Sequence, residues 1–121
     1  MTSRVFVVQN QHRWDSAKER FVPKYDFASA EPFGSLEFLL SPTAAPFNVD
    51  PIVAELKDKL ADFGPEDHLL LVGNPVLIGL ACTIAAEANL GSVALLQWSG
   101  KDRRYIEVKA MGLFTFSDPN E

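Results

Sequence analysis

The residues of this chain that carry chemistry stand mostly at the ends of apolar runs, and few are spaced for catalysis. His12, Arg13 and Asp15 share one polar stretch, a set able to move a proton. Neither His12 nor His68 has another His, a Cys or paired carboxylates at metal-ligand spacing, so no metal centre is expected. Cys82 lies among Ala81, Ile84 and Ala85, the surroundings of a small hydrophobe rather than of a thiolate nucleophile. Ser41 and Ser99 lack the GxSxG turn that exposes a nucleophilic serine. Gly73-Asn74-Pro75 links a strand-like run to a helix-like one, and helix N-termini attract anions. The chain has neither GxGxxG nor GxxxxGK[ST], and Pro75 removes one amide that a phosphate would use. Asn74 therefore reads first as a helix cap. No catalytic residue is assigned, and no cofactor is expected.

Trp14 and Trp98 are the most informative large side chains. Each stands where an apolar run gives way to a polar loop. Such a residue packs one ring face on the core and leaves its N–H wet, or it anchors a partner protein, or it stacks on a base. Arg103-Arg104-Tyr105, close behind Trp98, suits either of the last two uses.

Charge is uneven along the chain. Residues 1–24 hold five bases against two acids, and 25–100 hold two lysines against ten acids. A second basic segment, with Lys101, Arg103, Arg104 and Lys109, follows. If Arg13 and its neighbours meet that segment in space, they form one anion-binding face. The net charge of −5 disfavours nucleic-acid binding, including a mode through Arg13, Arg20, Lys101, Arg103 and Arg104.

The elements that must position these residues follow from hydrophobic periodicity. Val5–Val8 reads as a strand that continues toward Trp14. Residues 15–19 turn, and Arg20–Phe27 returns as the second arm of a hairpin, confined to an edge by Pro23. Residues 29–34 form a loop with room for one helical turn, and Leu36–Leu40 is a strand. Asp50-Pro51 reads as N-cap and first residue of an amphipathic helix whose apolar stripe is Ile52, Val53, Leu56, Leu60 and Phe63. Leu69–Val72 is apolar throughout, as in a strand buried on both faces. Val76–Ala88 reads as a helix buried nearly all round, with Glu87 its only charge. Val93–Trp98 is a strand, Arg103–Val108 returns antiparallel, and Met111–Phe116 offers a further short strand.

The order strand, helix, strand, helix, strand from residue 36 implies a parallel β-α-β-α-β unit. The predicted fold is a small α/β domain with a mixed sheet, flanked by hairpins, over residues 1–116, and residues 117–121 form a tail. Ligands of such sheets bind beyond the carboxyl ends of the strands. Here those ends carry Ser41, Thr43, Asn74, Gln97, Trp98 and Lys101, joined by Gln9, Asn10, Gln11, His12, Arg13 and Trp14 if the first strand runs the same way.

The stretch from Leu69 to Gly79, with Leu95-Leu96-Gln97-Trp98 and the residues through Tyr105, resembles short proteins encoded by tailed bacteriophages. The resemblance covers most of the chain and implies no activity. It implies an accessory protein acting in the cytoplasm of the bacterial host. The absence of a signal-like or bilayer-length apolar run predicts the same place and no membrane partner. Two functions are therefore expected in order. The first is a non-enzymatic binding protein that docks another protein or a second copy of itself. The second is a small-molecule, anion or nucleotide-binding protein, with an enzyme in that class, using the strand ends.

Overall fold

The computed structural model describes residues 3–114. It is an α/β domain built on a mixed, five-stranded sheet. The strands are β1 (Arg4–Gln9), β4 (Ser35–Leu40), β5 (His68–Leu70), β6 (Val93–Ser99) and β7 (Arg104–Ala110), in the spatial order β4-β1-β5-β6-β7. β4, β1, β5 and β6 are parallel, and β7 is antiparallel to β6. The parallel part thus has four strands, because β1 joins the three expected from residue 36 onward. A separate two-stranded sheet pairs β2 (His12–Asp15) with β3 (Arg20–Pro23).

The path of the chain decides which face each connection covers. From β1 the chain moves outward to β4, then returns across β1 to β5 and on to β6. Crossovers between parallel strands are right-handed, so a reversal of direction puts successive connections on opposite faces. Helices α1 (Val49–Lys59) and α2 (Pro75–Ala88) accordingly share one face. There Phe6, Val8 and Leu69 pack on Leu56, Leu77, Ala81 and Ala85. The connection from β1 to β4, which holds the hairpin and a 3-10 helix at Ala28–Phe33, supplies Phe27 and Ala30 to the other face, against Val5, Val7, Leu70 and Leu96.

Leu69 and Leu70 lie in the central strand, fully enclosed, as their apolar run predicts, but the expected strand Leu69–Val72 stops at Leu70, and Leu71 and Val72 are half-buried beyond it. Asn74 caps α2 as expected: its side chain accepts from the Val76 N–H at 2.9 Å, with Pro75 in the first turn. Other expectations need correction. β1 ends at Gln9 rather than running on to Trp14, because β5 ends opposite Val7 and β4 opposite Gln9, and the next residues pair with β3 instead. α1 starts at Val49 with Asn48 as cap, and Pro51 sits inside the first turn. The amides of that turn have no intrahelical partner, so proline is tolerated at each of its positions. α2 is not enclosed all round: Val76, Gly79, Thr83 and Glu87 form an exposed stripe. A single helix layer leaves its outer side wet whatever the hydropathy. Finally, Met111–Phe114 is not a strand; Leu113 N–H donates to Gly91 O at 2.8 Å and the segment packs by the α2–β6 turn. Residues 115 and 116 of that expected strand, and the expected tail at 117–121, lie outside the described residues.

A candidate binding cleft at the strand switch point

Connections leave the carboxyl ends of β1 and β5 toward opposite faces, so a crevice opens between them. Gln9, the last residue of β1, bridges its inner end. Its buried amide donates to the carbonyls of Ser41 and Ala44 at 3.2 and 3.1 Å, and its Oε1 accepts from Asn74 N–H at 3.0 Å. One side chain thereby ties the end of β1 to the loops after β4 and β5. Gly73 makes this possible: its φ is +120°, and a Cβ there would meet Gln9 Cβ at 2.5 Å.

Outward from Gln9 the crevice widens into a cleft of about 670 Å³. Its apolar wall is Leu70, Leu71, Val72 and Ile78. Four aromatic residues complete it: Tyr25 and Phe27 from the chain after the hairpin, Trp98 from the end of β6, and Tyr105 from the start of β7. Tyr105 and Phe27 are buried, whereas Trp98 is 48% and Tyr25 43% exposed. Trp98 and Tyr105 are direct partners in the β6–β7 register, and their rings meet edge to face at 5.1 Å. Tyr25 and Phe27 lie 6.5 Å apart. The polar lining is Gln11, Lys24, Asp26 and Ser29. Burial, aided by the nearby Asp26 carboxylate, pushes the Tyr105 phenol above its ordinary pKa.

Of the strand-end residues expected from the sequence, Gln11 and Trp98 line this cleft. Gln97, next to Trp98, alternates to the other face of β6 and is exposed. Ser41 and Thr43 bond each other at 2.9 Å in the exposed turn after β4. Asn74 is used as cap and as donor to Gln9. Arg13 and Trp14 lie on the hairpin, where the Trp14 ring meets Phe21 edge to face at 5.3 Å. Lys101, Arg103 and Arg104 are exposed at the β6–β7 turn. Neither they nor Arg13 form an ion pair among the described residues, and Lys24 is the only base lining the cleft. The sequence places Gln9 and Gln11 at the strand-end edge and Tyr105 beside Trp98, but gives no such role to Tyr25, Asp26 or Phe27, which also line the cleft. The signal available was the aromatic spacing Tyr25-Asp26-Phe27 beyond Pro23, taken as a hairpin arm although the arm ends at Pro23.

Among the described residues, no hydrogen bond joins the Ser29 hydroxyl to Asp26 or Lys24, the lining groups that could act as its base. His12 is exposed on β2, where it pairs with Pro23, and is not among the lining residues. Cys82 is absent from the lining, and burial raises its thiol pKa, away from a reactive thiolate. Among the described residues no group of three His, Cys, Asp or Glu could hold a metal ion, and no helix is long and apolar enough to cross a membrane. No curated protein and no solved structure matches the chain. A family model described as Phage Pam3 gp32-like protein matches residues 3–111, nearly all that the structure describes. The match bears out the resemblance to phage proteins: the chain belongs to the Phage Pam3 gp32-like protein family.

Proposed function

We propose that this phage accessory protein works by binding, not by catalysis, and docks a partner protein at the aromatic cleft. The observation that carries this reading is the pair of half-exposed rings, Trp98 and Tyr25, set around one recess over a buried aromatic floor. Exposed Trp and Tyr beside a pocket are the usual centres of interface energy. The partner acts in the host cytoplasm, where a phage accessory protein meets its targets. A second reading rests on the position of the cleft. Switch-point crevices of α/β sheets receive small ligands, and about 670 Å³ is large enough for one.

The test captures partners of the tagged protein from infected-host lysate beside its Trp98→Ala form, with co-eluting small molecules and nucleic acid measured. A protein retained by the wild type and lost with Trp98→Ala supports docking. A small molecule lost in the same way supports the second reading. Equal capture by both forms overturns the assignment of the cleft.

A further inference from the structure

The cleft combines aromatic ring faces with one carboxylate whose charge is unanswered. Asp26 Oδ1 accepts the Ala28 N–H at 2.9 Å, and Asp26 forms no ion pair among the described residues. Its field reaches into the wall, because it helps to raise the Tyr105 phenol pKa. The rim already engages a cation: Lys24 Nζ lies over the Tyr25 ring, 5.4 Å from its centroid. Ring faces carry negative potential and attract cations, and a neighbouring carboxylate deepens that potential. Arginine exploits such a place better than lysine does. Its planar guanidinium stacks on an indole or phenol while its N–H fork reaches a carboxylate. The chain's net charge of −5 also steers a basic partner toward it.

We propose that the cleft is an arginine receptor: a guanidinium on the docking partner enters between Trp98 and Tyr25 and donates to Asp26. This rests on the docking reading above and names the chemistry it recognises. Lys24 has a second part in it. As a like charge at the rim it competes with the incoming arginine, so it tunes affinity downward and keeps the cleft from holding free basic peptides tightly.

The experiment is calorimetric titration of the full chain with acetyl-Gly-Arg-Gly-amide and with the citrulline peptide, which is neutral and nearly the same shape. Asp26→Asn keeps the oxygen that accepts the Ala28 N–H, so the fold is retained, and a circular-dichroism melt checks it. The arginine peptide is expected to bind about tenfold more tightly than citrulline. Asp26→Asn should remove most of that preference, and Lys24→Gln should strengthen arginine binding several-fold. Equal affinities for the two peptides, or a preference that survives Asp26→Asn, overturns the proposal. A partner whose capture depends on Trp98 without any arginine preference overturns the receptor alone. Capture indifferent to Trp98→Ala overturns the docking reading and the receptor with it.

Discussion

The two ends of the parallel strands treat their polar groups in opposite ways. At the amino ends the charges are paired and Asp67 is buried, although His68 Nδ1 is buried without a hydrogen-bond partner. Asp67 is only 5% exposed and accepts from Arg4 N–H, from the Arg4 guanidinium at 2.7 Å and from Gly64 N–H at 2.9 Å. That hydrogen bonding holds the Arg4 pKa above its ordinary value. Beside it His68 Nε2 bonds Glu107, and the His68 ring meets Phe33 edge to face at 5.4 Å. At the carboxyl ends, Gln9 is satisfied but the rings and the Asp26 charge further out are left open to solvent. A fold that can match its charges at one end, and leaves aromatic faces bare at the other, is holding itself together at the first and presenting a surface at the second.

Substitutions break this contrast in order of size. Asp67→Ala strands the half-buried Arg4 and the Gly64 N–H, and should cost about 3 kcal/mol in chemical denaturation. The cleft lies at the far end of the strands, so arginine-peptide affinity of the folded variant should not change. An affinity loss there would show that the two ends are coupled.

Gln9→Ala leaves two loop carbonyls and the Asn74 N–H without their partner and should cost about 2 kcal/mol. It also frees the loops around the cleft, so peptide affinity should fall with stability. Full affinity in this variant would mean that the cleft does not need its inner bridge.

Trp98→Ala should cost about 1 kcal/mol, the scale of one edge-to-face ring contact on a half-exposed residue. Partner capture should be lost entirely. A variant that unfolds outright would make Trp98 a structural residue.

The smallest effect belongs to Glu107. Its hydrogen bond to His68, with a lesser contribution from Lys109, lowers its pKa from an ordinary 4.5. A carboxyl lowered by folding adds stability above its unfolded pKa, and that stability fades as pH falls through the folded value. Thermal melts between neutral pH and pH 3 should therefore show a shallower acid decline for Glu107→Gln than for the wild type, by less than about 1 kcal/mol at this partly exposed site. A parallel decline in both would mean that the pair contributes nothing to the amino-end network.

The order of elements was legible because it is a local matter. Alternating apolar runs and capped periodic segments set β4, α1, β5, α2 and β6, and Asn74-Pro75 marked the start of α2 to the residue. The central place of Leu69 and Leu70 followed from an apolar run with no polar side to show water. What only the tertiary structure decided is sidedness. The direction in which each connection crosses the sheet put both helices on one face and the segment after β3 on the other, and no residue announces that choice. It is why α2 has a wet stripe despite its hydropathy. It is also why Trp98 lines a cleft with Tyr25 rather than with Asn74 and Thr43: residues that share the carboxyl edge in sequence logic are divided between faces in space. Gln9 was invisible as a keystone for the same physical reason. A lone glutamine at a strand end has no periodicity, and its worth lies in two loops, distant in sequence, that folding brings within its reach.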